Sequence, residues 1–209
     1  MEYSPLKYIY RSAGKAEAFT LLLLHGTGGN EHDLLSLTNY FGDGFNVLSV
    51  RGNVEENGMP RFFKRKAMGI FDEQDLGFRT DELKHFLEKV AVSEGFDVTK
   101  IVALGYSNGA NIAGATLVLH PDFLAGAILF RPMPPFRDNR QKNSLRPTPV
   151  FLSNGSQDPT VDKDENRKYT NALSSAGFLV DDHSIATGHS LSEQDLLLAS
   201  EWFRKHFPS

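Results

Sequence analysis

A serine framed by two glycines, Gly105-Tyr106-Ser107-Asn108-Gly109, stands where the apolar run Ile101-Val102-Ala103-Leu104 gives way to a helix-compatible stretch, Ala110 to Leu119. A strand-to-helix turn of this kind lifts a hydroxyl clear of the sheet, and the glycines remove side chains where strand and helix crowd together. Ser107 is therefore the candidate nucleophile. The chain has no cysteine, so any nucleophile must be an oxygen, and disulfides and zinc-thiolate sites are excluded with it. The same five residues also describe an ordinary glycine-rich turn with an incidental serine, so the rest of the chain must supply partners for the hydroxyl.

A nucleophile elbow is followed in chain order by an acid and then a histidine. Asp158 lies in Asn154-Gly155-Ser156-Gln157-Asp158-Pro159, immediately beyond the strand-like run Pro149 to Ser153. His189 lies in Thr187-Gly188-His189-Ser190, ahead of the last helical stretch. In the catalytic reading His189 takes the Ser107 proton and returns it to the leaving group, while Asp158 holds the ring in one tautomer; activity then rises with pH as the imidazole loses its proton. Each residue has a plainer reading: an aspartate before proline initiates turns, and a loop histidine can cap a helix. Asp162 and Asp164 compete for the acid role, but Val161-Asp162-Lys163-Asp164 reads as the entry to a helix, where acidic residues suit the helix dipole. His183 falls inside a strand pattern, and His206 suits the carbonyls at the end of the last helix.

Acyl transfer also needs donors aimed at a developing oxyanion. The backbone N–H of Asn108 is free of an intrahelical partner at a helix start, and Thr27, in the turn His25-Gly26-Thr27-Gly28-Gly29, is the candidate for the second donor. That glycine-rich turn could alternatively cradle a phosphate, but the glycines miss the G-x-G-x-x-G spacing and no P-loop lysine follows. Glu31, His32 and Asp33 neighbour His25 in sequence, yet a strand end and a helix start do not imply convergence on one ion, so no metal is expected. Phe62, Phe63, Phe71 and Met133 are candidates for an acyl or aryl pocket, with core filling as the equal alternative. Arg61, Lys64, Arg65 and Lys66 read first as a solvated basic face and second as an attractor for an anionic substrate.

The elements that must position these residues alternate between strand length and helix length, which predicts an α/β class: a mostly parallel sheet with helices on both faces. Strands are expected at Thr20 to Leu24, Asn46 to Val50, Lys100 to Gly105, Gly126 to Phe130 and Pro149 to Ser153, with a weaker, more polar one at Val180 to Ile185. Helices are expected over Glu31 to Tyr40, Asp75 to Glu94, Asp164 to Ala176 and Ser192 to His206, the last beginning with a capping arrangement of Ser192 and Asp195. Gly52 to Asp75 and Arg131 to Pro147 carry no assignment, and loops of that length are often functional. A length of 209 residues suits one domain, 1–209, and leaves no room for a large lid. Net charge is −4 with both signs scattered, which argues against nucleic acid. The strongest apolar run, Phe19 to Leu24, falls short of the roughly 20 residues a spanning helix needs, and the start of the chain lacks an export pattern, so a soluble cytoplasmic protein without membrane insertion is expected.

Taken together, Leu24 to Gly29, Gly105 to Ala110, Gly155 to Pro159 and Gly188-His189 resemble the α/β-hydrolase fold, and in particular the bacterial carboxylesterase/phospholipase family that includes the acyl-protein thioesterases. Tyr106 to Asn111 and Ala127 to Met133 resemble its branch of small carboxylesterases associated with hydroquinone or quinone resistance. The resemblance implies Ser107, Asp158 and His189 as a triad, Thr27 and Asn108 as oxyanion donors, no cofactor, a small-molecule ester as substrate, and often a homodimer. Asn108 departs from the glutamine common after the nucleophile, and Met133-Pro134-Pro135 departs from the expected pocket segment. The expected activity is carboxylesterase action on small or medium esters. Thioesterase or lysophospholipase action is the alternative within the same chemistry, and a non-catalytic binding protein is the alternative outside it.

Overall fold

The computed structural model describes residues 3–15, 17–67, 69–138 and 140–208. Its frame is a seven-stranded sheet built from β1 (Tyr8–Arg11), β2 (Thr20–Leu24), β3 (Asn46–Val50), β8 (Ile101–Tyr106), β9 (Gly126–Phe130), β10 (Pro149–Gly155) and β11 (Leu179–Ile185), in the order β1-β3-β2-β8-β9-β10-β11. All neighbours pair in parallel except β1, which runs antiparallel to β3. The continuously apolar runs are the interior strands, because a strand covered on both faces has no polar side to show. β11 is polar and largely exposed because it is an edge with a single neighbour, β10.

Four helices cover the sheet: α1 (Glu73–Glu94), α2 (Asn108–Leu119), α3 (Lys163–Ser175) and α4 (Glu193–His206). α1, α2 and α3 bury Leu83, Leu87, Ile112 and Leu173 in one core layer. α4 packs Leu196, Trp202 and Phe203 into the other, against Phe130 and Phe151. Asp72 caps α1, its side chain accepting from the Asp75 N–H, so the helix starts two residues before the expected Asp75. Ser192 and Asp195 form a reciprocal capping box on α4. Among the described residues no helix is long and apolar enough to cross a membrane.

One expectation about local structure is corrected, and two unassigned stretches gain structure. The helix expected over Glu31 to Tyr40 is only a 3₁₀ segment, Leu35–Tyr40. Its backbone bonds close over three residues, Leu37 N–H to the Leu34 carbonyl and Phe41 N–H to the Thr38 carbonyl, in place of the four-residue α-helical ladder. The antiparallel edge β1 was not anticipated from its mixed composition. The unassigned Gly52 to Asp75 stretch folds as two small antiparallel ribbons, β4 (Val54–Glu56) with β5 (Met59–Arg61) and β6 (Arg65–Ala67) with β7 (Ile70–Phe71), turning at Asn57 and Gly58 and at Gly69.

Candidate active site

Register brings the strand ends to one rim. Leu24 pairs with Gly105, Tyr106 with Phe130, Ser153 with both Phe130 and His183, and Gly155 with Ile185. The loops leaving these ends therefore meet, which is where open α/β sheets collect their ligands.

Ser107 sits in the turn between β8 and α2 with φ +52° and ψ −110°, a backbone conformation that non-glycine residues seldom hold. Its N–H donates to the Phe130 carbonyl at 2.9 Å, which anchors the turn to β9. The flanking glycines are sterically required: a Cβ on Gly105 would lie 2.5 Å from the Gly109 backbone, and one on Gly109 would lie 1.9 Å from the Leu24 carbonyl oxygen. The helix can thus press onto the sheet only without those side chains, and the hydroxyl stands out at the rim.

His189 Nε2 lies 3.0 Å from Ser107 Oγ, and its Nδ1 lies 2.6 Å from Asp158 Oδ2. With a carboxylate on Nδ1 the ring carries its proton there, leaving Nε2 as an acceptor for the serine hydroxyl. Asp158 is held from its far side: the Thr160 N–H and hydroxyl donate to Oδ1 at 2.9 and 2.6 Å. Burial raises the Asp158 pKa, but the Thr160 donors and His189 outweigh it and keep the carboxyl below its ordinary value. Asp162, by contrast, caps α3 by accepting from the Asp164 and Glu165 N–H groups, and Asp164 pairs with Arg167. His183 stacks on Phe151 instead of facing the rim.

A cavity of about 630 Å³ opens beside the serine, lined among others by Thr27, Met59, Phe71, Asn108, Met133 and His189. Thr27 and Asn108 thus border the same space. Asn108 heads α2, where its N–H lacks an intrahelical acceptor, and its side chain accepts from the Phe62 N–H at 2.7 Å. The Thr27 hydroxyl accepts from Arg61 Nη1 at 2.7 Å. Phe71 and Met133 line the cavity, whereas Phe62 and Phe63, expected with them, are buried in the main core. The reason is the β4–β5 ribbon: it turns Phe62 onto the His25 ring, and Phe63 packs edge-on against Phe71 from behind the wall. Among the described residues no group of three or more His, Asp or Glu side chains could hold a metal ion; Glu31 instead pairs with Arg51. A second concavity, near the amino ends of β2 and β3, is lined by Phe19, Phe41, Phe45, Phe203 and Phe207 and holds none of the candidate residues.

Sequence reasoning missed Arg131. It follows β9 with φ +55°, and its side chain is fully buried. The guanidinium makes a two-pronged pair with Asp195, both distances 2.8 Å. It also donates to the carbonyls of Gly188 and Ser190 at 3.2 and 2.9 Å, while the Tyr106 hydroxyl donates to the His189 carbonyl at 3.2 Å. Three consecutive carbonyls of the histidine loop are therefore captured. Burial raises the Asp195 pKa, but Arg131, Ser153 and Ser192 overcome it and bring the carboxyl to about 2. The signal in the sequence was an arginine directly after an apolar strand, which only its distant partner Asp195 explains.

The model of the phospholipase/carboxylesterase family matches residues 8–207. MhqD of Bacillus subtilis is 43% identical over 200 residues, spanning 96% of this chain and 98% of its own. The crystal structure of a Bacillus cereus carboxylesterase superposes with a TM-score of 0.93 at 46% identity, over 97% of this chain and 95% of that one. A carboxylesterase from Mesorhizobium loti gives a TM-score of 0.86 at 28% identity, over 97% and 99%. Agreement of this extent, in sequence and in superposed backbone together, leaves one conclusion: the chain belongs to the phospholipase/carboxylesterase family of α/β-hydrolases.

Proposed function

We propose that the chain, acting as one domain, is a serine hydrolase of small to medium carboxylic esters, with Ser107 as nucleophile, His189 as general base and acid, and Asp158 as its orienting carboxylate. The observation that carries this reading is the unbroken hydrogen-bonded path from Asp158 through His189 to Ser107 at the mouth of a cavity. Ser107 Oγ attacks the ester carbonyl as His189 Nε2 takes its proton, and the carbonyl π electrons move onto oxygen. The backbone N–H groups of Thr27 and Asn108 receive that oxyanion. Collapse breaks the bond to the alkoxy group, which leaves as the alcohol with the proton from His189. Water then attacks the acyl-enzyme with His189 again as base, releasing the acid and restoring the serine. Phe71, Met59 and Met133 offer an apolar surface for the acyl or aryl portion, in a space suited to a ligand of modest size.

Ser107→Ala is expected to lower turnover of 4-nitrophenyl esters by a factor on the order of 10⁵, and to abolish labelling by a fluorophosphonate probe, with the melting transition preserved. Turnover retained in that variant would overturn the assignment.

A further inference from the structure

We propose that the β4–β5 ribbon sets the oxyanion hole, with Arg61 as its positioning residue: the guanidinium fixes Thr27, and the next N–H along the chain, that of Phe62, fixes Asn108. The inference rests on the hydrolase reading and adds to it what holds the two oxyanion donors in place.

Thr27 follows β2 and Asn108 follows β8, so the two donors reach the rim from separate turns. The first of these turns is exposed at Thr27 and Gly28, and Gly28 has φ +84°. Donors stabilise an oxyanion only when they stand about 2.7–3.1 Å from the place it will occupy, and a turn that drifts forfeits the effect. Consecutive residues of one segment prevent the drift. The Pro60 carbonyl accepts from the Gly28 N–H at 2.9 Å, Arg61 Nη1 donates to the Thr27 hydroxyl at 2.7 Å, and the Phe62 N–H donates to Asn108 Oδ1 at 2.7 Å. Three successive residues are thus bonded to both oxyanion turns.

Arg61 opens a basic run that reads in the sequence as a solvated face, yet it is 3% exposed. Its Nε donates to the Phe63 carbonyl at 3.2 Å, and its guanidinium stands 3.4 Å from Glu56 within the ribbon. Burial is the main reason its pKa is lowered, so enclosing this cation opposes folding, and an apolar side chain would fill the space at lower cost. What the guanidinium supplies instead is a rigid fork with one prong on Thr27. The ribbon itself has a fixed seat. A Cβ on Gly52 would lie 2.2 Å from the Arg61 carbonyl oxygen, the Gly52 N–H donates to His25 Nε2 at 3.0 Å, and the Phe62 ring lies 4.7 Å from the His25 ring. The clamp is therefore tied to the end of β2, from which the Thr27 turn departs.

Both half-reactions pass through an oxyanion, so loosening the clamp lowers kcat and kcat/KM together. On 4-nitrophenyl hexanoate, Arg61→Met should lower both by a factor on the order of 10². It should weaken inhibition by 1,1,1-trifluoro-2-octanone, whose hemiketal with Ser107 carries an oxyanion, by a similar factor. Thr27→Val keeps the backbone N–H and removes the acceptor for Arg61; the expected loss is about tenfold, and Thr27→Ser, which restores the hydroxyl, should recover most of it. Combining Arg61→Met with Thr27→Val should lose no more than Arg61→Met alone, because both break one contact. Thr27 is exposed, so its substitutions test the clamp even where Arg61→Met fails to fold. Unchanged kcat or an unmoved ketone Ki per folded molecule in Thr27→Val, or losses that multiply in the double variant, would overturn the proposal and leave the hydrolase reading intact. An unaltered protein that neither turns over esters nor takes a fluorophosphonate label removes both.

Discussion

His25 and His189 stand at the same rim of the same sheet, one in the turn after β2 and one in the loop after β11, and their surroundings give them opposite uses. His25 is 1% exposed, and both ring nitrogens are occupied by backbone: Nδ1 donates to the Gly26 carbonyl at 2.6 Å, and Nε2 accepts from the Gly52 N–H at 3.0 Å. That pair of partners admits only the neutral ring. Burial is the main reason its pKa is lowered, against the opposing pull of the Gly26 carbonyl. His189 keeps 36% of its side chain exposed, has a carboxylate on Nδ1, and turns Nε2 to a hydroxyl. An imidazole has the capacity to act as a base only where one nitrogen is left to a mobile proton; where neither is, it braces the backbone.

The sharpest way to break this comparison is to truncate each ring. His189→Ala is expected to lower kcat/KM by about 10⁴ or more while the unfolding midpoint is kept. His25→Ala should do the converse: a loss of stability of about 2 kcal/mol from the stranded Gly52 N–H and the emptied volume, with a far smaller loss of activity per folded molecule. Urea unfolding and ester-hydrolysis kinetics normalised to folded protein, run side by side, read both. Equal activity losses in the two variants would dissolve the distinction.

A second test removes what holds the His189 loop. Arg131→Met leaves Asp195 buried and unpaired, for an expected destabilisation of about 3–5 kcal/mol, with a fall in kcat as the loop carbonyls lose their donor. Adding Asp195→Leu should return much of the stability, since the lone buried charge is gone, but not kcat. Recovery of kcat in the double variant would show that the loop holds His189 without Arg131.

The smallest effects are in pH dependence. His25 has a folded pKa below the ordinary 6.5, so the unfolded chain takes up that proton first; its contribution is complete above 6.5 and declines as pH falls below it. Asp195 contributes above its ordinary 3.8, and that part is lost as pH falls towards about 2. Stability against pH should therefore fall in two separate steps. His25→Asn should flatten the upper step and leave the lower, as urea midpoints collected from about pH 8 down to about pH 2 would reveal.

Much of this was legible in the chain because it is locally encoded. All six expected strands match their observed ranges to within two residues, since short runs bounded by turn residues are short-range signals. The candidate Ser107 was readable from the glycines that its tight turn demands, and Asp158 and His189 were candidates from their places just beyond a strand, but only the folded chain brings the three within hydrogen-bond distance. The 3₁₀ segment Leu35–Tyr40 escaped because apolar spacing over one or two turns does not separate a three-residue backbone ladder from a four-residue one. Phe62 and Phe63 were indistinguishable from Phe71 by composition; the twist of one small ribbon sends the first two inward and leaves the third at the cavity.

The order of apolar and polar residues by itself determined the α/β class, the strand sequence and the turn that exposes Ser107, because burial periodicity and glycine sterics act over a few neighbours. Tertiary structure alone decided which aspartate reaches which histidine, which arginine is sealed against Asp195 and which holds Thr27. Those outcomes depend on register between strands far apart in the chain, and on desolvation, which no residue carries until its neighbours have closed around it.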